Sequence, residues 1–581
     1  MMEIQLNKDR RFTWKVDKIA VVGPGIVGMP MAALLAHARI RIGTNEPARV
    51  VVVQRNSANS GWKVGAINTG RSVIGGIEPG LNAIVEAAAA EGLLSATHDY
   101  MEIADADLIL VCIQTDKKPN SYEPDYGPMF GGLTALAKAL QHKPAHKVPL
   151  VVFESTLAPS SMATLMRAHF EHYGLIEGED ILLGNSPNRV MPGRLVERVT
   201  QSDKLVAGLH PETPRMISEV YKHIVTDGNL HQTNSMTAEV VKTLENAYRD
   251  VRIAYSSEIV RYCDEHDIDF YEVRDRVNER LAQSDNATGD PNAVPSGGIL
   301  IPMVGVGGHC LPKDGILLWW RRVESGAETP NSLILQSRLI NDESPAETIR
   351  LAERRFGDIS GKKVAVLGTA YRFNSEDTRN SPSIVLALQL MEKGCEVILH
   401  DPYVKPDDQN LQKFKAEKHF TNDLETAVAD ADYIFFGTAH KEYMEGLGDI
   451  TGLAKNLQGI ADACNLYQRE EVESRGLAYT GIGRGRIRPA AGFIEFVYRG
   501  FRAMEKGLAN EVLAIAEFLN EHYTTEAFNK VRFEEIQRLA ASCNTGCLIV
   551  DAGPIEDVPV YEGFSSRLAE CARNQYALVS D

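Results

Sequence analysis

At 581 residues the chain is too long for one hydrophobic core and predicts about three or four domains. Its 44% hydrophobic and 24% charged residues suit a globular protein, and a net charge of -17 excludes general binding to nucleic acid or anionic membrane, which a field of that sign repels. There is no apolar run of the roughly 18 residues that would span a bilayer, Met1 to Lys18 is too charged for a secretory signal, and the eight cysteines have neither C-x-x-C nor zinc-like spacing; a cytoplasmic protein with reduced thiols and no metal is expected.

In chain order, Lys18-Ile-Ala-Val-Val followed by Gly-Pro-Gly-Ile-Val-Gly-Met predicts a buried strand, a glycine turn and a helix. Gly23, Gly25 and Gly28, with Ile26 and Val27 between them, fit G-x-G-x-x-G in the context that seats a dinucleotide pyrophosphate at a helix N-terminus. The next strand, from Arg49, ends in Gln54 and Arg55 where an acid would bind the ribose hydroxyls. Arg55 suits a 2′-phosphate as well as it suits a solvated strand end, so NADP stays open beside NAD. The strand beginning at Asp105 delivers Thr115 to the carboxyl edge of a parallel sheet, and that beginning at Pro149 delivers Glu154 and Thr156.

From Asn234 to Asp264 there is no glycine or proline, and a long helix is expected; Lys242, Asn246 and Arg249 fall at i, i+4 and i+7 on one face. Val304-Gly-Val-Gly-Gly-His-Cys-Leu-Pro-Lys-Asp then sets Cys310 among glycines, where a ligand can approach the backbone. The thiolate is the nucleophile, and His309 or Lys313 beside it would favour the charged form. Gly361 to Arg372 opens a second strand-turn-helix unit without G-x-G-x-x-G, hence a second sheet with no second dinucleotide site implied. In the tail, Phe493 to Tyr523 has apolar residues at helical spacing, a packing helix, and 547–554 reads as one short strand and turn.

The ten residues GVGGHCLPKD at 305–314 resemble the active-site loop of the nucleotide-sugar 6-dehydrogenases, the family of the UDP-glucose, GDP-mannose and UDP-N-acetylhexosamine enzymes. The resemblance runs in order from about residue 17 to 485. It includes A-E-x-x-K-x-x-E-N-x-Y-R-D-V at 238–251, E-D-T-R-N-S-P at 376–382 and the loop Asn185-Ser-Pro-Asn-Arg-Val-Met-Pro-Gly-Arg. The helix motif and the histidine before Cys310 are more like the UDP-N-acetylhexosamine branch; Pro312-Lys313-Asp314 is closer to the UDP-glucose branch.

The resemblance implies an α/β fold of two Rossmann-like doubly wound domains joined by a long central helix; the C-terminal extension beyond it has no counterpart in the family and no assigned role. The expected boundaries are 1–230 for NAD binding, 231–345 for the central helical and dimerisation region, 346–489 for nucleotide-sugar binding and 490–581 for the extension. It also implies a homodimer or larger assembly, and a four-electron oxidation of a UDP-sugar at C6 using two NAD. In that scheme Cys310 forms the covalent adduct, Lys242 and Asn246 hold the oxyanion, and Asp314 and Glu154 handle water. Gly307, Gly308, His309, Arg189, Arg249, Arg372 and Arg379 contact the substrate. The chain departs from the family at Gln54, at Asp116, where proline is usual, and at Asn188, where glutamate is usual. Two alternatives stand beside this reading: UDP-glucose or GDP-mannose as the sugar, and a nucleotide-sugar-binding protein that has lost the oxidation.

Overall fold

A computed structural model describes residues 2–577 apart from 120, 525, 543–545 and 556–557. The chain forms two compact units, one of Met1–Glu245, Leu317–Gly326 and Leu513–Cys547, the other of Asn246–Ile316, Ala327–Val512 and Leu548–Asp581. The tail from residue 490 is divided between both units.

The first unit is built on an eight-stranded sheet in the order Leu230–Asn234, Lys204–Gly208, Leu182–Asn185, Leu150–Phe153, Leu108–Val111, Lys18–Val22, Arg49–Val53, Leu94–Thr97. Neighbours run parallel except Leu182–Asn185 against Lys204–Gly208. The inner strands are unbroken runs such as RVVVV and LILV because both faces are covered, with one apolar cluster on each side of the sheet. From Lys18–Val22 the chain goes first to Arg49–Val53 on one side and later to Leu108–Val111 on the other. That reversal opens a crevice at the carboxyl ends of the strands, where ligands of doubly wound sheets bind. A hairpin of Met2–Gln5 and Arg11–Trp14, not foreseen from the sequence, precedes the sheet.

The second unit carries a six-stranded, wholly parallel sheet in the order Phe420–Thr421, Glu396–His400, Lys363–Leu367, Tyr433–Phe436, Gly459–Asp462, Ala478–Gly481. The expected central helix forms as Ser235–Glu265, with Asn234 Oδ1 accepting from the Thr237 N–H at 2.8 Å as its cap. The fold class is therefore as expected.

The tail begins with the helix Ala491–His522, matching the apolar spacing read from the sequence. Within the second unit its Glu511 caps the helix Leu333–Phe356, accepting from Ser332 Oγ at 2.5 Å and the Leu333 N–H at 3.0 Å. In return Glu258 of the central helix accepts from Ser566 Oγ and the Arg567 and Leu568 N–H groups at the start of the helix Arg567–Ala577. Tyr262 lies between Phe493 and Phe564, ring centroids 5.1 and 4.6 Å away. Within the first unit, Asn234 Nδ2 donates to Lys530 O at 2.9 Å and Thr233 Oγ1 to Glu535 at 2.6 Å. The strand expected in 547–554 does not form. Gly553 there exchanges two bonds with the Asn510 carboxamide, at 2.7 and 2.9 Å, which replaces a strand partner by a side chain. Cys543 lies outside the described residues, and the seven described cysteines are free thiols. Among the described residues no helix is long and apolar enough to cross a membrane.

Candidate functional site

In the first unit, strand Lys18–Val22 runs into the glycine turn and the helix Gly28–His37. Gly23 has φ +93°, a Cβ on Gly28 would collide with the Gly23 carbonyl, and Gly25 has open space where a Cβ would stand. The first two positions need glycine, for the turn and for the helix-strand packing, and the open space at Gly25 leaves room for a ligand to approach. Ile26 and Val27 pack partly into the core beneath the turn. The cradle fits a dinucleotide pyrophosphate at the positive helix end. Thr115 Oγ1 donates to Thr156 O at 2.7 Å, tying together the ends of two strands at the same edge.

Glu154 is buried among three polar partners. Its side chain is fully enclosed, with Lys204 Nζ 2.8 Å from Oε2, Tyr221 OH donating to Oε1 and Asn188 Nδ2 donating to Oε2. A carboxylate so enclosed ties the strand end to Lys204, to Tyr221 and, through Asn188, to the 185–194 loop. Burial pulls the Lys204 ammonium below its ordinary range despite Glu154. Sequence reasoning missed Lys204 and Tyr221; the glutamate displaced from the 185–194 loop by Asn188 was the one available signal. Arg189 of that loop, expected at the substrate, forks onto Glu245 of the central helix at 2.6 and 2.8 Å, fixing the loop to the helix.

On the same helix Lys242 is 7% exposed, and no hydrogen bond or ion pair reaches its ammonium from the described residues. Glu239, nearly one turn earlier, accepts from the Ser160 and Met162 N–H groups at 2.8 and 2.9 Å, bracing the loop after Thr156, where Ser160 has φ +76°. Burial pushes the Glu239 carboxyl up from 4.5 to about 8. The folded state therefore holds a proton that the unfolded chain releases near pH 4.5. The stability from this group is full below that pH and is lost as pH rises through about 8. Thermal unfolding between pH 5 and 9 should show a decline in Tm for the wild type that is shallower in Glu239→Gln; equal slopes would mean the carboxyl is ionised throughout.

In the second unit, Cys310 is exposed and stands at the start of the helix Leu311–Glu324, its carbonyl accepting from the Lys313 and Asp314 N–H groups at 3.1 and 3.0 Å. Asp314 is fully buried: Oδ1 takes Lys313 Nζ at 2.6 Å and Oδ2 takes Asn246 Nδ2 at 2.6 Å. So Asp314 joins the cysteine helix to the central helix, and the Lys313 ammonium is paired with it rather than set aside for the sulfur.

The glycines before Cys310 are needed by close packing. Gly308 has φ +88°, and a Cβ on Gly307 would collide with Tyr371. The Gly308 N–H donates to Arg379 O and its carbonyl accepts from Asn380 Nδ2, both at 2.8 Å. The cysteine loop thus lies against the segment carrying Arg372 and Arg379, and His309 is half-buried. Arg379 is held by a fork to Asp377 at 2.6 and 2.9 Å, Arg372 sits 5.8 Å from the Phe373 ring, and Arg249 is exposed. Sequence reasoning also missed Asp401 and His440. Asp401 accepts from the Thr369 and Ala370 N–H groups at 2.7 and 3.0 Å, and from His440 Nε2 at 3.0 Å, while His440 Nδ1 accepts from the Asn374 N–H at 2.9 Å. Together they shape the loop that presents Arg372.

The chain matches three domains of one family in order: the NAD binding domain of the UDP-glucose/GDP-mannose dehydrogenases over 17–225, their central domain over 236–343 and their UDP binding domain over 365–469. A UDP-N-acetyl-D-mannosamine dehydrogenase of Pyrococcus horikoshii is 28% identical over 474 residues, 81% of this chain and 100% of that one. One from Campylobacter jejuni is 28% identical over 444 residues, 74% of this chain and 98% of that one. Among solved structures, an NDP-N-acetyl-D-galactosaminuronic acid dehydrogenase from Methanosarcina mazei Go1 has 33% identity and a TM-score of 0.68, covering 81% of this chain and 96% of that one.

Proposed function

The chain belongs to the UDP-glucose/GDP-mannose dehydrogenase family and is an NAD-dependent nucleotide-sugar dehydrogenase, and we propose that it oxidises a UDP-N-acetylhexosamine at C6, from alcohol to carboxylate, through a covalent adduct on Cys310. The sugar assignment is supported by the names of the relatives and by the E-N-x-Y-R-D-V form of the central helix. The chemistry rests above all on Lys242, a buried ammonium with no partner among the described residues, as a group awaiting a negatively charged oxygen would be.

NAD, bound twice per turnover, supplies the oxidising equivalents by accepting one hydride each time. The glycine cradle holds its pyrophosphate, and Thr115 and Thr156 line the strand ends beside it. Once the C6 alcohol has become an aldehyde, the Cys310 sulfur adds to its carbonyl carbon and the thiohemiacetal oxygen takes up charge. Lys242 and Asn246 stabilise that oxygen, and the N-terminal amides of the cysteine helix favour the same charge. The second oxidation leaves a thioester; water adds to its carbonyl, the carbon-sulfur bond breaks, and the thiol and the acid are released. Asp314 acts through Asn246, whose carboxamide it orients, and Glu154 acts on the loops around it rather than on water. Arg372 and Arg379 supply the local positive charge that a diphosphate needs in an acidic protein.

Absorbance at 340 nm, with UDP-GlcNAc, UDP-ManNAc, UDP-GalNAc, UDP-glucose and GDP-mannose each offered with NAD, tests the assignment. Two reduced cofactors per sugar are expected with an N-acetylhexosamine. Turnover confined to UDP-glucose or GDP-mannose overturns the sugar, and one cofactor per sugar overturns the covalent route.

A further inference from the structure

The adenosine end of the dinucleotide crevice lacks, after the second strand, the carboxylate that favours an unphosphorylated ribose over a 2′-phosphate. Recognition of the 2′-hydroxyl calls for a carboxylate at the end of the second strand, and the same carboxylate repels a 2′-phosphate. Here strand Arg49–Val53 is followed by Gln-Arg-Asn-Ser-Ala-Asn-Ser-Gly-Trp-Lys, residues 54–63, which hold two cations and no acid. Gln54 continues the ladder, its N–H donating to Thr97 O at 3.1 Å, while its side chain turns back to donate to Ser60 Oγ at 2.9 Å. Ser60 Oγ in turn lies 2.7 Å from Ser57 Oγ. This closed set of bonds gives the loop a defined course and leaves Arg55 exposed at the strand end. Lys63, from the next helix, reaches back to the Pro24 carbonyl inside the glycine turn at 3.5 Å. On the adjoining strand end, Asp99 is occupied by the Met101 N–H and Glu102 by the Thr97 hydroxyl.

We propose that Arg55 reads the adenosine ribose as a 2′-phosphate, so that the site binds NADP at least as tightly as NAD. An exposed guanidinium at the strand end, with a second cation at the pyrophosphate turn, matches a dianionic phosphate through charge-assisted bonds. Gln54, a neutral amide tied into its own loop, puts no negative charge where that phosphate stands.

The test uses the full-length protein and binding alone. Titration calorimetry with 2′,5′-ADP and with 5′-AMP should give a Kd about tenfold or more lower for the 2′-phosphorylated nucleotide, and NADP should bind no more weakly than NAD. Arg55→Ala should weaken 2′,5′-ADP by about tenfold or more while changing 5′-AMP by less than about threefold. Gln54→Asp, which places a carboxylate at the strand end, should shift preference towards NAD; circular dichroism and thermal unfolding confirm that both variants are folded. Equal affinities for 2′,5′-ADP and 5′-AMP, or an Arg55→Ala variant that keeps the difference, overturn the proposal. It rests only on the dinucleotide crevice, so a sugar panel without turnover leaves it standing, and its own failure leaves the sugar assignment untouched.

Discussion

Cys310→Ser is expected to reduce formation of the uronic acid by at least about a thousandfold, the scale on which loss of a covalent nucleophile is felt, while the protein stays folded. The stability expectation follows from exposure: Cys310 stands at the surface of its loop, and the contacts that shape that loop come from Gly307, Gly308, Asn380 and the Cys310 carbonyl, none of which involves the sulfur. The catalytic expectation follows from the second oxidation. A free aldehyde has a hydride to give up only after something has added to its carbonyl, and a serine hydroxyl without an adjoining base is a far weaker nucleophile than a thiolate. Chromatography of the sugar products alongside NADH absorbance reads the result directly: reaction should stall at the aldehyde level. Acid release by Cys310→Ser at the wild-type rate would falsify the covalent scheme and leave a hydrated aldehyde as the species oxidised.

Lys204→Met should lower the stability of the first unit by about 3–5 kcal/mol, because it leaves the Glu154 charge buried without its cation. For a unit of this size that is roughly 6–20 °C in Tm. The double variant Glu154→Gln, Lys204→Met should recover much of the loss, since removing both charges also removes their desolvation cost. This pair of measurements separates two roles for Glu154. If it holds the strand end and, through Asn188, the 185–194 loop, then Glu154→Gln acts chiefly on Tm and on KM. If it handles the catalytic water, the same change lowers kcat with Tm nearly unmoved. Calorimetric unfolding together with steady-state kinetics decides between them, and a large kcat effect at constant Tm would return Glu154 to the water.

What could be read from the sequence was whatever chemistry forces locally. The glycine turn was legible because a positive φ at Gly23 and close packing at Gly28 admit no other residue. The central helix was legible because thirty-one residues without glycine or proline, with apolar positions three and four apart, have few other ways to fold. The tail helix was legible for the same reason, but its attachments were not. Glu511 and Glu258 are ordinary glutamates in sequence, and only the packed chain shows each one capping a helix that begins far away along the chain.

The same division runs through the site. By itself the sequence determined the two sheets, the dinucleotide turn, the helix that carries Lys242 and Asn246, the cysteine loop and the absence of an acid after the second strand, since each is a matter of spacing or of residue type at one position. Only the tertiary structure decided what the charged groups do: Arg189 bound to Glu245, Asp314 to Asn246, Arg379 to Asp377 and Glu154 to Lys204. The reason is that a carboxylate or guanidinium takes its role from the partner set opposite it, and in three of these four pairs that partner lies tens of residues away in the chain, at a distance no local pattern encodes.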